Sequence, residues 1–251
     1  MLTLTNKFAR SVVTFLCLLS VACSSVPKLE SNAIIPKVKL PNKHQELGVM
    51  SEYTDPWEGF NRRMYYFNAK ADEYVLLPIV NNYKKITPEV IQTGLSNFFN
   101  NLAEISTFMN SLLQLKLAVA GETFARFAVN STLGMIGLID VATPIGFAEQ
   151  NEDFGQTLGY WGIGAGPYLV LPLLGPSSLR DATGLVFDAL VDQQSMDVLS
   201  MESDEELYLS LANSIDARAR LPFRYYASGS AFEYEHLKLL YMKYREIQVA
   251  R

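Results

Sequence analysis

Two long runs of this chain are almost without charge, yet neither is free to act as a simple membrane span. Residues 127–148 read FAVNSTLGMIGLIDVATPIGFA with Asp140 as the one charged side chain, and residues 158–175 read LGYWGIGAGPYLVLPLLG with none. Each has about the length of a bilayer-crossing helix. Both are broken by glycine and proline, and a lone helix broken in this way leaves backbone groups without partners in hydrocarbon. The acidic residues Glu149, Glu152 and Asp153 lie between the two runs. The pattern favours helices and a hairpin that enter one leaflet without crossing it. The competing reading is the buried core of a soluble all-helical domain.

The glycines of FGQTLGYWGIGAGPYLVLPLLGPSSLRD, residues 154–181, invite a search for a phosphate-binding loop. Gly162, Gly164 and Gly166 form G-x-G-x-G followed by Pro167, without the third glycine that a dinucleotide fingerprint needs. No lysine occurs between Lys116 and Lys238, so a P-loop lysine has no place here. A nucleotide site is therefore disfavoured.

The N-terminus points to export. Lys7 and Arg10 form a basic start, Ser11 to Ala22 is mostly apolar, and the run ends at Cys23, so residues 1–22 read as a secretory signal. The stretch LSVACSS resembles a bacterial lipoprotein signal, which makes Cys23 the lipid-modified first residue of the mature chain. Ser20 stands where that pattern prefers leucine. An ordinary cleaved signal is the alternative. Cys17 and Cys23 are the only cysteines, so the mature chain is expected to hold no internal disulfide. Ser24 and Ser25 follow, where an aspartate would favour inner-membrane retention, and the expected location is the outer membrane facing the periplasm. Residues 23–54 then read as a tether: Pro27, Pro36 and Pro41, scattered charges and no periodicity. Fully extended, it would reach at most roughly 100 Å.

Charge and side-chain inventory exclude other classes. The chain carries a net charge of -5, and removing its basic signal makes it more acidic, which opposes nucleic-acid binding. The group Arg218, Arg220 and Arg224 reads as a helix C-terminus. His44 and His236 are the only histidines, so a histidine-rich metal site cannot form, and no catalytic residue is assigned. Ser177 and Ser178 lack the G-x-S-x-G turn of a serine nucleophile.

Outside the charge-poor runs the periodicity is helical. Asp55 is placed to cap a helix with Pro56 in its first turn, and Trp57, Phe60, Met64 and Phe67 line one face, either as core or at a membrane interface. Thr87 and Pro88 open a second helix with Leu95, Phe98, Leu102, Ile105, Met109 and Leu112 on one side. Asn97, Asn100, Asn101 and Asn110 are interleaved, facing either solvent or a polar channel. Ser203 with Glu206, and Ser230 with Glu233, match capping boxes before two more helices.

Taken in order, Cys23, DPWEGFNRRMYYFN at 55–68, GLSNFFNNL at 94–102, RFAVNSTLGMIGLIDVA at 126–142 and the 154–181 segment resemble the MlaA (VacJ) family of outer-membrane lipoproteins. The resemblance covers roughly residues 50–225 and divides the mature chain into a family-like domain at 55–225 and a C-terminal helical extension at 226–251. It implies an all-α ring embedded chiefly in the inner leaflet of the outer membrane around an amphipathic pore. It further implies association with a trimeric porin, removal of phospholipids from the outer leaflet, and their transfer to a soluble periplasmic carrier. No cofactor is implied beyond covalent lipid on Cys23. On the same resemblance a glycine-rich hairpin from about Leu133 to Gly175 borders and gates the pore, with Phe67, Asn68, Gly162, Gly164 and Gly166 as its sensitive positions. Arg126 and Arg180, the only basic side chains between Lys116 and Arg218, are candidates for headgroup contact or for structural ion pairs. A structural or porin-binding lipoprotein without translocation activity is the alternative function, and a lipid-modifying enzyme a third.

Overall fold

A computed structural model of the chain describes residues 53–198 and 203–251. The signal, Cys23, His44, almost all of the tether and the Ser203–Glu206 capping pair lie outside the residues whose side chains it describes. The described part is helical, with eight α-helices and one two-stranded sheet: α1 (Glu58–Ala71), α2 (Leu77–Ile86), α3 (Glu89–Leu113), α4 (Leu117–Thr132), α5 (Phe154–Tyr160), β1 (Tyr168–Leu171), β2 (Gly175–Ser178), α6 (Leu179–Val198), α7 (Ser203–Arg220) and α8 (Glu233–Ala250). No helix among the described residues is long and apolar enough to cross a membrane.

Helix α1 continues into α2 through a π-helical turn, Asp72–Leu76. Pro78 lies in the first turn of α2, where the lack of its N–H breaks the α-helical ladder, and the wider turn absorbs the break. The turn is held from outside. Buried Asp72 takes a two-pronged contact from Arg218 at the end of α7, at 2.6 and 2.7 Å. Helices α3 and α4 pack as an antiparallel pair joined by a short link at 114–116, and the charge-poor segment after α4 becomes tight turns and a 3-10 turn, Thr143–Ile145. The second charge-poor run supplies the end of α5, and then β1 and the turn of an antiparallel hairpin in which Tyr168 faces Ser178 and Leu171 faces Gly175. Among the described residues this hairpin is the one departure from helical secondary structure.

Several expected caps are replaced by tertiary contacts. The carboxylate of Asp55 makes no cap; it accepts from Asn61 Nδ2 at 2.8 Å and from the Tyr234 hydroxyl at 2.5 Å. Thr87 does not cap α3 with its side chain, and Gln92 reaches back to its carbonyl instead, at 2.7 Å. Glu233 accepts from the Tyr65 hydroxyl, the Ser228 hydroxyl and the amides of Tyr226 and Ser228, so it braces a neighbouring loop rather than closing a capping box.

The apolar core is small and aromatic. Tyr65, Tyr168, Val170, Tyr234 and Met242 bring α1, the hairpin and α8 together, with edge-on ring pairs such as Tyr65 with Tyr225 at 5.1 Å. The last helix is therefore an integral part of this core. Its Arg245 grips Asp153 and Asp181 from across the fold.

Candidate functional site

The distribution of polarity is inverted relative to that of a water-soluble domain. Among the described residues, buried polar side chains outnumber buried apolar ones, while leucine, isoleucine, phenylalanine and tryptophan side chains stand exposed along most elements. Helix α3 shows this most clearly: it buries Asn101, Glu104, Thr107, Asn110 and Ser111 and turns Met109 and Leu112 outward. The aromatic stripe of α1 behaves in the same way. Trp57, Phe60 and Phe67 are exposed, and the buried face carries Asn61, Tyr65, Asn68 and Ala69; of that stripe only Met64, half-buried, packs against the core. The asparagines of α3 resolve likewise: Asn101 and Asn110 are buried against polar partners, and Asn97 and Asn100 bind Leu138 O and Arg220 at the surface.

Two asparagines one heptad apart fasten the hairpin to α1. Asn61 donates to the Tyr168 carbonyl at 3.0 Å and accepts from the Val170 amide at 2.8 Å. Asn68 donates to the Leu171 carbonyl at 2.9 Å and accepts from the Leu173 amide at 2.7 Å. Asn61 thus supplies the free edge of β1 with the donor and acceptor that a further strand would offer, and Asn68 does the same where the strand ends and the turn begins. Asn68 was singled out in the sequence. Asn61 was not, although its spacing of seven from Asn68 puts both on one helical face. Phe67, next to Asn68, points outward, beside a hairpin whose turn exposes Leu173 and Leu174.

The three glycines of GIGAG play different roles. Gly162 and Gly166 hold φ values of +87° and +70°, which other residues adopt with strain, and Gly166 lies 3.3 Å from the Leu179 side chain at the point where a Cβ would sit. Gly164 needs neither a positive φ nor a close approach. Two other glycines meet backbone more closely: a Cβ at Gly134 would fall 2.1 Å from the Ile139 carbonyl oxygen within its turn, and one at Gly184 would fall 2.4 Å from the Gly155 nitrogen and separate α5 from α6.

Arg126 and Arg180 are both buried and both ion-paired. Arg126 donates to Glu104 at 2.7 Å, with each side chain only 2% exposed, and also to Thr143 and the Phe147 carbonyl. Burial pushes the Glu104 carboxyl above its ordinary range even though Arg126 opposes the shift. Arg180 lies against Asp181, which Arg245 also holds. The structural ion-pair reading accounts for both guanidiniums, and neither presents a free face to a lipid headgroup.

Charged groups do open onto a cleft of about 430 Å³ between α2, α3 and α7, lined by Lys84, Glu89, Gln92, Thr93, Ser96, Asp216, Ala219 and Arg220. Asp216 is buried at its base and accepts from Ser96 at 2.9 Å and Tyr83 at 3.2 Å, with Arg220 at 3.0 Å. The sequence placed Arg220 at a helix end, where it does lie, without revealing the cleft. Only the packing of α7 against α2 and α3 brings it beside Lys84. His236 is exposed on α8 and hydrogen-bonds neither a serine nor a carboxylate among the described residues. No group of three or more His, Cys, Asp or Glu side chains there could hold a metal ion.

Among the described residues, then, a helical fold turns much of its apolar surface outward and its ion pairs inward, and no helix is long and apolar enough to cross a membrane. A family model described as MlaA lipoprotein matches residues 53–248, and the chain belongs to that family. The match takes in α8, beyond the family-like region that the sequence motifs delimit. An uncharacterised protein of Rickettsia typhi is 32% identical over 81% of each chain. The intermembrane phospholipid transport system lipoprotein MlaA of Escherichia coli K12 is 41% identical over 54% of this chain and 55% of its own. A solved structure described as "Structural basis for maintenance of bacterial outer membrane lipid asymmetry" superposes with a TM-score of 0.64 at 30% identity, covering 78% of this chain and 99% of that one.

Proposed function

We propose that this protein is an outer-membrane lipoprotein, anchored through Cys23 and seated chiefly in the inner leaflet, that removes mislocalised phospholipids from the outer leaflet and passes them to a soluble periplasmic carrier. The observation that carries this reading is the inverted polarity of the fold, in a chain whose relatives include a phospholipid transport lipoprotein. Carrying a headgroup through hydrocarbon is costly unless polar groups line its path. A helical ring, apolar outside and polar within, lowers that barrier without a nucleotide site or a metal. A trimeric porin is the expected partner holding the ring in place.

In this reading the glycine-rich segment from about Leu133 to Gly175, which the structure divides into turns, α5, the GIGAG turn and the first strand of the β-hairpin, borders and gates the pore. Phe67 and Asn68 couple α1 to the hairpin, because any movement at the end of α1 is transmitted through the two Asn68 hydrogen bonds to the turn at Leu173. Gly162 and Gly166 supply the backbone freedom for that movement, and Gly164 supplies open space beside it. The test is the phospholipid content of the outer leaflet in cells lacking the chain. It rises on deletion and returns to normal on restoration. An unchanged content, with the other pathway components intact, would leave a structural or porin-binding role in its place.

A further inference from the structure

Resting on that transport reading, we propose that the cleft between α2, α3 and α7 is a phosphodiester site in which Lys84 and Arg220 hold the phosphate of a glycerophospholipid headgroup. Lys84 lies exposed on the cleft wall, and its ammonium has no carboxylate partner among the described residues. Arg220 is only partly committed. Its Nε faces Asp216 at 3.0 Å and its Nη1 donates to Asn100 at 2.9 Å, which leaves Nη2 without a protein partner among the described residues. Asp216 is the one buried carboxylate in the cleft, and its charge is already balanced by Arg220 and by hydroxyl donors.

The cleft therefore presents one ammonium without an ion-pair partner and one guanidinium N–H, while Glu89, exposed at its edge, brings the formal charge of the lining to zero. A monoanionic phosphodiester meets the ammonium and the spare N–H as charge-assisted hydrogen bonds. A free phosphate would meet the same two donors, and the arms of the experiment separate the two sources. The volume suits a headgroup, falling within the roughly 300–1,000 Å³ range of small-molecule sites. The two arginines expected from the sequence to meet headgroups, Arg126 and Arg180, lie elsewhere, buried in ion pairs.

The experiment uses the full chain purified in mild detergent and equilibrated separately with phosphatidylethanolamine, diacylglycerol and inorganic phosphate. Bound lipid is read by native mass spectrometry and bound phosphate by ³¹P line broadening. Wild type retains phosphatidylethanolamine and not diacylglycerol. Lys84→Gln loses roughly tenfold in retained phospholipid, as expected for one charge-assisted contact. Lys84→Arg restores it, and Lys85→Gln, one residue outside the cleft lining, leaves it unchanged. Arg220→Lys, which keeps a partner for Asp216, lowers retention in the same direction. Equal retention by wild type and Lys84→Gln overturns the site and leaves transport standing, because lipid then binds elsewhere. Displacement of the lipid by millimolar inorganic phosphate assigns the cleft to a free anion and overturns the headgroup assignment. If wild type retains no phospholipid and the outer leaflet of cells lacking the chain is unchanged, transport fails and the site fails with it.

Discussion

Asn68 fastens the hairpin turn through one donor and one acceptor, so its truncation leaves both the Leu171 carbonyl and the Leu173 amide without their partner. Asn68→Ala is expected to cost about 2 kcal/mol. The loss should be accompanied by faster hydrogen exchange at Leu173 than at Val170, which Asn61 still holds. Equal exchange at the two amides would remove Asn68 from the clamp. The GIGAG glycines separate at the same scale. Gly162→Ala forces alanine to a φ of +87° and is expected to cost about 1 kcal/mol, whereas Gly164→Ala meets no atom within 4 Å and should change the unfolding midpoint negligibly. If bulky substitution of Gly164 stops lipid removal at unchanged stability, this open position has a role in passage rather than in folding.

Helix α8 is held by ion pairs as well as by its share of the aromatic core. Burial by itself would raise the carboxyls of Asp153 and Asp181, but hydrogen bonds and charge from Arg245 more than reverse it, and both titrate below the usual aspartate range. A carboxyl lowered in the folded state contributes stability that is complete above the unfolded value of about 3.9 and is lost as pH falls through the lowered folded value. Acid below about pH 4 should therefore loosen α8 before α3 and α4, as read by site-resolved hydrogen exchange. Arg245→Met leaves the two carboxylates with much less compensation and is expected to cost about 3–5 kcal/mol at neutral pH. The deficit should shrink in mild acid as Asp153 takes up a proton. A deficit independent of pH would mean that Arg245 contributes packing rather than charge. Across the other major seam, the buried Glu104–Arg126 pair joins α3 to α4, and replacing either partner alone should be worse than replacing both with apolar residues of similar volume.

At the scale of the whole molecule the inverted polarity makes a spectroscopic prediction. The chain has two tryptophans, Trp57 and Trp161, and both are exposed, at 41% and 52%. In brominated-lipid vesicles their emission should be quenched and shifted to shorter wavelength, and single Phe substitutions should apportion the quenching between α1 and the segment after α5. Emission at a water-exposed wavelength without quenching would show that these faces meet solvent. The same surface predicts that Cys23→Ala, which removes the proposed anchor, weakens membrane association without abolishing it, because exposed Leu133, Met135 and Ile136 remain to meet lipid.

Helix periodicity and the breaks that keep each charge-poor run from forming one long helix were legible in the residues themselves, because both depend on local spacing. Which face of each helix points inward was not. The stripe of Trp57, Phe60 and Phe67 has the periodicity of a core face in water and of an outer face in lipid, and a hydrophobic pattern cannot tell the two solvents apart. Likewise, Arg126 and Arg180 look alike as isolated cations in apolar sequence, yet Glu104 and Asp181 neutralise them, while Lys84 and Arg220, on different helices, share a cleft. Local spacing along the chain determined the elements; only the tertiary structure decided which charges find partners, because pairing depends on distances between residues far apart in sequence.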